Sequence, residues 1–222
     1  MKRISVVIPT QGRVQALSRT LTAISEQELG DLEAELVLVC SGRPAAECED
    51  VRALAASQPL AAKVVARRDG GAAGARNAGV GVAESELILF LNDDTPPLSP
   101  RLLREHAEMH AAGERRRGVL GRVVWHPEIE QTPVMAWLAS SGKMNDYSEL
   151  EAGDARRPVL YAPNLSVHRE ALVEVGGFDE RFWRYGWEEY DLALRLGDRG
   201  FEVAFAPNLV VGHDHVYSRA ES

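Results

Sequence analysis

The chain has 222 residues, 45% of them hydrophobic and 26% charged, a composition typical of a globular protein with one large domain or two small ones. Its formal net charge of −8 and the lack of a strong basic patch exclude nucleic acid as an expected partner. No apolar run approaches the ~20 residues that span a bilayer, so we expect no transmembrane segment, and peripheral membrane contact stays open.

The amino terminus and the two cysteines indicate a compartment. Residues 1–4 lead directly into an apolar run, which is not the pattern of a signal peptide. Cys40 and Cys48 do not have the spacing of metal ligands. We therefore expect two reduced thiols in a cytoplasmic protein, since disulfides are rare in the cytosol.

Apolar runs alternate with helical patterns through the first hundred residues. The predicted strands are residues 4–8, 36–39, 63–66 and 87–91. The predicted helices are residues 14–24 and 44–56, together with one that starts in the glycine-rich segment 70–79. These alternations predict an α/β fold with a mainly parallel, doubly wound sheet and right-handed crossovers.

The second half of the chain is less regular. The helices expected there are residues 99–110, 168–175 and 188–196. The expected strands are residues 119–125, 159–161, 203–205 and 209–211. Residues 126–157 are polar and lack periodicity, and an irregular stretch of this length is typical of a functional or mobile loop.

The strand at residues 87–91 consists of consecutive apolar residues, which predicts burial on both faces. It ends in Asn92, Asp93 and Asp94, and two prolines then prevent its continuation. Open α/β sheets bind ligands at the carboxyl ends of their strands, and carboxylates there favour Mg²⁺ or Mn²⁺ bound together with phosphate. The alternative is an ordinary turn, because Asn, Asp and Pro are also turn residues.

The segment 70–79 places small side chains at the start of a helix. Gly71 and its neighbours would let the backbone approach a pyrophosphate, and a helix N-terminus favours an anion. Arg76 could add a charge-assisted contact to phosphate. The alternative is close packing of this helix on the sheet, with Arg76 on the surface.

Several motifs, in order along nearly the whole chain, resemble family 2 glycosyltransferases. They are residues 5–10 with Arg13, 75–79, 90–95, 163–166 with Arg169, 176–180, 188–192 with Arg195 and Leu196, and Gly212 with His213. The resemblance implies a single GT-A domain over residues 1–222, with a nucleotide-sugar-binding half at 1–95 and an acceptor-binding half at 96–222. It also implies metal-assisted transfer from a nucleoside diphosphate sugar to a hydroxyl acceptor, with inversion at the anomeric carbon and Mn²⁺ or Mg²⁺ as cofactor.

The resemblance also assigns residues to roles. The implied donor-side residues are Pro9, Thr10, Gln11, Arg13, Gly71, Arg76, Asn92 and Asp93. Asp94 is the implied metal ligand together with His213, and His215 is the alternative because both histidines point to one side of an extended strand. Glu189 is the implied general base that takes the hydroxyl proton, with Glu188 as its alternative, although the family has aspartate where Glu189 stands.

One pair of residues departs from the family pattern. The strand at 36–39 should end in two acidic residues that read the nucleotide base, but Cys40 and Ser41 stand there. Neither side chain supplies a carboxylate, so the identity of the base stays open. Asp69 lies close in the family pattern and could substitute.

The candidate acceptor-binding residues are Trp183, Tyr185 and Trp187 in an aromatic loop, together with Asn164 in a motif of the second half. Sugars stack on aromatic faces, but a packed aromatic corner is the alternative for the first three residues. The acceptor stays open among saccharides, lipid-linked glycans and small molecules.

A rival hypothesis is a non-catalytic module that binds a nucleotide sugar or a partner on the same fold. A nucleotidyltransferase is disfavoured because residues 9–12 lack a basic, glycine-rich loop.

Overall fold

The fold is built on a seven-stranded sheet with helices on both faces. The computed structural model describes residues 2–111, 115–153, 159–183 and 186–217. Its strands are β1 (Lys2–Thr10), β2 (Leu32–Ser41), β3 (Ala61–Arg67), β4 (Leu87–Leu91), β5 (Arg117–Trp125), β6 (Asn164–His168) and β7 (Glu202–His213). Its α-helices are α1 (Val14–Ser25), α2 (Glu49–Ala56), α3 (Ala72–Val82), α4 (Leu102–Ala111), α5 (Pro133–Ser140), α6 (Ser148–Ala152), α7 (Arg169–Glu174) and α8 (Glu188–Gly197).

The strands lie side by side in the order β3–β2–β1–β4–β6–β5–β7. Neighbouring strands are parallel except around β6, which is antiparallel to both β4 and β5. The predicted α/β fold with a mainly parallel sheet is confirmed. The carboxyl ends of β1, β2 and β4 therefore meet at one edge, where polar residues that follow these strands come together.

Alternate side chains of the central strands point into two different cores. Leu89 packs on the side of α1, α2 and α4, whereas Phe90 packs on the side of α3, α7 and α8. This two-sided burial is why β4 is apolar without alternation. Each fully buried side chain of this size contributes ~1.5–3 kcal/mol relative to exposure. Gly79 brings α3 directly onto the sheet, because a Cβ at this position would collide with Val7. At Gly79, therefore, the glycine-rich segment allows α3 to pack closely on the sheet.

Several predicted elements of the second half differ from the structure. Residues 159–161 do not form a strand, and β6 follows them instead. The two late strands predicted at 203–205 and 209–211 are one strand, β7. The stretch 126–157 contains α5 and α6, so it is less irregular than predicted. The helix predicted at 44–56 begins with a 3₁₀ turn, Ala45–Glu47, before α2.

The two cysteines form a disulfide, so the prediction of two reduced thiols is wrong. Cys40 is the second-last residue of β2 and Cys48 precedes α2, and the intervening turn brings their Cα atoms to 6.3 Å. That separation lies within the range that a disulfide requires, but it depends on a turn geometry that the sequence does not reveal. The predicted cytoplasmic location loses the support of reduced thiols. Within the described ranges, none of the helices has the length and apolar character needed to cross a membrane.

Helix α4 and strand β6 share a buried polar network. His106 Nδ1 lies 2.8 Å from Ser166 Oγ, and His106 Nε2 lies 2.9 Å from Asn164 Oδ1. His110 Nε2 lies 2.9 Å from the same serine oxygen. Asn164 Nδ2 donates to the carbonyl of Leu209 at 2.8 Å. Asn164 is thus fully buried with its amide engaged, which contradicts its predicted contact with an acceptor.

Burial is the main reason why the pKa values of His106 and His110 are lowered to about 4. A histidine in the unfolded chain protonates near pH ~6.5. Between these values the unfolded state binds more protons than the folded state, so the free energy of unfolding falls as the pH drops from ~6.5 to ~4. The pKa difference at His106 corresponds to about 3 kcal/mol when the pH is below both values.

We expect acid to destabilise the protein partly through His106. The variant His106→Gln keeps a hydrogen-bonding side chain and removes the titrating group. It should be less stable than the wild type near pH 7 and should lose less stability between about pH 7 and pH 4.5. Urea midpoints followed by circular dichroism at each pH measure this loss. His126→Gln, outside the network, is the matched control and should follow the wild type. Equal pH dependence in His106→Gln and the wild type would contradict the assignment.

Candidate functional site

A cavity of about 350 Å³ lies at the carboxyl ends of β1 and β4, and we call it the strand-end cavity. Its lining includes the predicted residues Pro9, Thr10, Gln11, Arg13, Ser41, Gly71, Arg76, Asn92, Asp93, Asp94 and His213. The lining also includes His215, Ala72 and Tyr217. The sequence reasoning missed Ala72 and Tyr217, and the only signal for Tyr217 was its place just after the histidine pair. A cavity of this size is within the range of small-molecule sites.

Two predicted donor-side residues lie outside this cavity. The Cys40 side chain is fully buried in the disulfide, so it cannot contact a nucleotide base. The Asp69 side chain is 70% exposed and forms an ion pair with Arg67 at the end of β3. Ser41 is the one residue of the replaced acidic pair that lines the strand-end cavity.

Asp93 is held rigidly at the floor of the strand-end cavity. Thr10 Oγ1 donates to Asp93 Oδ2 at 2.7 Å, and Thr20 Oγ1 donates to the Asp93 carbonyl at 2.8 Å. The pKa of Asp93 is raised by burial. The hydrogen bond from Thr10 and the charge of Arg13 lower it, but by less. The side chain is therefore held by β1, and the backbone of Asp93 by α1, before any ligand arrives.

Asp94 and His213 form the other polar pair of the cavity. His213 Nε2 lies 3.4 Å from Asp94 Oδ2, and the Asp214 backbone N–H donates to the Asp94 carbonyl at 2.8 Å. Trp125 stacks on the His213 ring at 5.3 Å between centroids and fixes its plane. Burial alone would raise the pKa of Asp94, but the hydrogen bond and charge of His213, with those of Arg13, hold it below its ordinary value.

This pair fits a divalent cation on chemical grounds. Asp94 Oδ1 is buried and has no hydrogen-bond partner among the described residues. A carboxylate oxygen and an imidazole nitrogen are suitable ligands for Mn²⁺, and Mg²⁺ and Mn²⁺ sites commonly use one or two protein ligands completed by phosphate oxygens and water. In the part of the chain that the structure describes, no group of three or more His, Cys, Asp or Glu side chains converges as a metal cage. The cation would therefore depend on the ligand's own oxygens.

Arg13 bridges the two aspartates. Its guanidinium forms a fork to Asp93, and its Nη1 lies 2.7 Å from Asp94 Oδ2. The Arg13 side chain is 48% exposed, whereas both carboxylates are nearly completely buried. The positive charge that two adjacent carboxylates require is therefore supplied by a half-exposed side chain that is bonded to both of them.

Arg76 joins the strand-end cavity to the first turn of α8. Its Nη1 donates to Glu188 Oε1 at 3.0 Å, and its Nη2 lies 3.5 Å from both Glu189 Oε1 and Asn92 Oδ1. The guanidinium also lies over the Phe178 ring, 5.4 Å from its centroid. Arg76 is 2% exposed, so the alternative of a surface arginine is wrong. Its Nε has no hydrogen-bond partner among the described residues, which leaves one donor for the predicted contact with phosphate.

The two acids at the head of α8 differ in their surroundings. The Glu188 side chain is 3% exposed and is paired with Arg76, whereas that of Glu189 is 19% exposed. Glu189 Oε1 accepts a hydrogen bond from the Ala162 backbone N–H at 3.1 Å. Burial and the neighbouring Glu188 raise the pKa of Glu189, while Arg76 and the bond from Ala162 oppose that rise. Glu189 is thus the more accessible acid, with a pKa moved toward neutral pH.

The predicted acceptor-side aromatic residues lie beside this helix. A Cβ on Gly71 would be 3.1 Å from the Trp183 carbonyl oxygen, so the glycine lets the aromatic loop approach the head of α3. Trp187 has a left-handed backbone, φ 75°, which is unusual for a bulky residue, and its side chain is 70% exposed. Its ring lies 5.5 Å from that of Tyr190. Trp183 and Trp187 are both largely exposed, so neither is buried in a packed corner, and Tyr185 lies outside the described residues.

Comparison with known proteins places this site in a family context. The family model described as "Glycosyl transferase family 2" matches residues 5–174, and the model described as "N-terminal domain of galactosyltransferase" matches residues 159–218. The pre-mycofactocin glycosyltransferase of Mycobacterium tuberculosis is 31% identical over 65% of this chain. The validoxylamine A glucosyltransferase of Streptomyces hygroscopicus subsp. jinggangensis is 29% identical over 90% of it. The alignments cover 30% and 52% of these two proteins, so the chain spans about half of their length or less.

A solved structure has the same fold. The mannosyltransferase PcManGT from Pyrobaculum calidifontis, in complex with GDP-Man and Mn²⁺, superposes with a TM-score of 0.67. The superposition covers 99% of this chain and 58% of that protein, at 20% sequence identity. At this level of identity the likeness establishes the GT-A fold and leaves donor, acceptor and metal to be argued from the residues themselves.

Proposed function

This chain belongs to glycosyl transferase family 2 and has a GT-A fold, and on that premise we propose that it is a metal-assisted, inverting glycosyltransferase. Its donor would be a nucleoside diphosphate sugar bound in the strand-end cavity. The observation that carries the proposal is the convergence of two groups of residues. Asp94 and His213, suited to a cation, line the same cavity as Asn92 and Arg76. Arg76 donates to Asn92 and lies 3.5 Å from Glu189, which is suited to act as a base.

Asp94 and His213 would hold the cation, with Mn²⁺ or Mg²⁺ as the suitable ions. When bound, the cation neutralises the charge that develops on the departing diphosphate. The chain's own part is to keep Asp94 fixed and ionised, through the backbone bond from Asp214 and the neighbouring His213. The mannosyltransferase neighbour, in complex with GDP-Man and Mn²⁺, supports this use of the site.

Glu189 would act as the general base. The acceptor hydroxyl gives its proton to Glu189 as its oxygen attacks the anomeric carbon, and the bond to the diphosphate breaks with the electron pair leaving on oxygen. A single displacement of this kind inverts the anomeric carbon. Glu188 is better suited to hold Arg76, because its side chain is buried against that guanidinium.

We also propose a division of the chain into two halves, with His213 of the second half contributing to the donor side. We assign donor binding to residues 1–95, which contribute Thr10, Arg13 and Asp93 to the strand-end cavity, and acceptor binding to residues 96–222. The rival hypothesis of a non-catalytic module predicts binding of the donor without turnover. Retention of Glu189 beside Arg76 supports the enzyme. Because the chain spans only part of its relatives, the activity of the whole protein is part of the proposal.

The proposal is tested by binding and turnover of nucleotides with and without metal. We expect one nucleoside diphosphate in a panel of bases to raise the melting temperature in Mn²⁺ and to lose most of that effect in chelator. A ligand at 100 times its Kd adds ~2.7 kcal/mol to the free energy of unfolding. The matching nucleotide sugar should then release its diphosphate slowly in water.

The outcomes separate the alternatives. Stabilisation without any diphosphate release in water or with hydroxyl acceptors would favour the non-catalytic module. Equal stabilisation in Mn²⁺ and in chelator would contradict the metal site at Asp94 and His213.

A further inference from the structure

A second cavity of about 260 Å³ adjoins the strand-end cavity, and we call it the side cavity. The two cavities share Asn92, His213 and Tyr217. The side cavity is otherwise lined by the end of β5, by Thr95 and Pro163, and by residues of α5 and the segment that follows it. α5 and that segment belong to the stretch 126–157, which lacked any sequence pattern. A ligand in the side cavity would therefore lie directly beside a donor in the strand-end cavity.

The side cavity is connected to the proposed base through residues of its wall, although Glu189 itself does not line it. Pro163 lies in its wall, and the preceding residue, Ala162, donates its backbone N–H to Glu189 at 3.1 Å. Asn92, in the shared wall, accepts from Arg76, which lies 3.5 Å from the same Glu189 oxygen. A hydroxyl group held in the side cavity would thus be close to both the donor and the proton acceptor.

The lining of the side cavity combines five apolar with six polar residues, which suits a small ligand with one apolar face and polar groups elsewhere. Its apolar side chains are Val123, Trp125, Leu138, Met144 and Pro163. Its volume lies just below the ~300–1,000 Å³ of cavities that bind drug-sized ligands, which is too little for a long glycan chain. Trp125 is fixed by a 3.0 Å hydrogen bond from its ring nitrogen to the Met135 carbonyl, so this wall is formed in advance.

The residues that line the side cavity differ in charge from the protein as a whole. The chain carries a formal charge of −8, yet the lining of the side cavity contains Lys143 and no aspartate or glutamate. Among the residues that the structure describes, Lys143 forms no salt bridge, whereas Lys63 is paired with both Glu35 and Glu84. An exposed ammonium group in the lining of a cavity that holds no carboxylate is suited to bind an anionic group of a ligand.

Resting on the proposed function, we propose that the side cavity binds the acceptor, a small molecule with an apolar ring and an anionic group that pairs with Lys143. The anionic group is a carboxylate or a phosphate, which share the charge and the acceptor oxygens that Lys143 requires. The hydroxyl that receives the sugar is placed toward the shared wall, opposite the anionic end.

The test compares three matched probes, 4-hydroxybenzoate, 4-hydroxyphenyl phosphate and the neutral 4-hydroxybenzamide. Binding to the full chain is measured by calorimetry, with and without Mn²⁺ and nucleoside diphosphate. We expect the wild type to bind at least one anionic probe about tenfold more tightly than the amide. The ranking of the carboxylate and phosphate probes identifies the anionic group.

Variants test the residues. Lys143→Met should remove the preference for the anionic probe, Lys143→Arg should keep it, and both should bind nucleotide as the wild type does. Arg52→Met, which removes an exposed charge on α2, is the matched control and should also keep the preference. Leu138→Trp should fill the side cavity and weaken all three probes without changing nucleotide affinity.

Several results would overturn the inference. They are equal binding of amide and anionic probes to the wild type, no binding of any probe, an unchanged preference in Lys143→Met, or unchanged probe binding in Leu138→Trp. Failure of the proposed function would appear separately, as absence of nucleotide binding or of donor turnover in the wild type.

Discussion

Replacing Glu189 by glutamine should lower donor turnover by about 10²–10⁴-fold, the usual effect of losing a general base. Glutamine keeps the shape of the side chain and the bond from the Ala162 backbone N–H, but it cannot accept the hydroxyl proton. Donor affinity should change little, because Glu189 does not line the strand-end cavity. Turnover is measured as diphosphate release and affinity by calorimetry.

The pH profile gives a second readout for the same residue. Because the pKa of Glu189 is raised, chiefly by burial, turnover in the wild type should rise with pH through a midpoint above ~4.3, the ordinary value for glutamate. Glu188→Gln is the matched control: it should alter stability and the pH midpoint through Arg76 while retaining most of the turnover at its best pH. If Glu188→Gln loses turnover and Glu189→Gln retains it, the base is Glu188.

Replacing Asp94 by asparagine should weaken Mn²⁺-dependent nucleotide binding by about 100-fold or more. Loss of a residue that merely orients a metal ligand costs ~10–100-fold in affinity, and Asp94 is proposed as a ligand itself.

Arg13→Ala should have the opposite effect and raise the affinity of the protein for Mn²⁺, measured without nucleotide. Its removal frees Asp94 Oδ2, now 2.7 Å from Arg13 Nη1, and takes away a competing positive charge.

A control separates competition from general electrostatics. Arg19 lies in α1, which begins just after Arg13, and its salt bridge is with Asp214, at 2.5 Å. Arg19→Ala removes the same charge near the site, so it should raise Mn²⁺ affinity less than Arg13→Ala. Equal Mn²⁺ affinity in Arg13→Ala and the wild type would indicate that the cation does not occupy the place of this guanidinium.

The first half of the fold could be predicted because its signals are local. Each of β1 to β4 is a short apolar run, and polar residues that follow such runs meet at one edge of a parallel sheet. Thr10, Asp93 and Asp94 could thus be placed together from sequence spacing and resemblance. β6 escaped prediction because Asn164 and Ser166 face buried histidines, so the strand lacks the apolar pattern of a core strand.

Long-range pairings of polar groups could not be read from the sequence. The contact between Arg76 and Glu188 joins residues 112 positions apart, and nothing in either segment specifies its partner. The disulfide depends on the exact path of a short turn. No sequence pattern included Lys143. Its proposed role in acceptor binding depends only on the side cavity that the surrounding elements form beside it.

The disulfide between Cys40 and Cys48 has a consequence for how the protein is handled. It closes a short ring that contains Ser41, the residue of β2 that lines the strand-end cavity. A cross-link between cysteines eight residues apart restricts the unfolded chain by about 2–3 kcal/mol in the chain-entropy model. In the folded state the ring is preorganised, so the backbone at Ser41 loses little further conformational entropy when a nucleotide contacts it. Protein kept in reductant lacks this cross-link, and protein kept without reductant retains it. A nucleotide titration is therefore interpretable only when the thiol content of the sample is known.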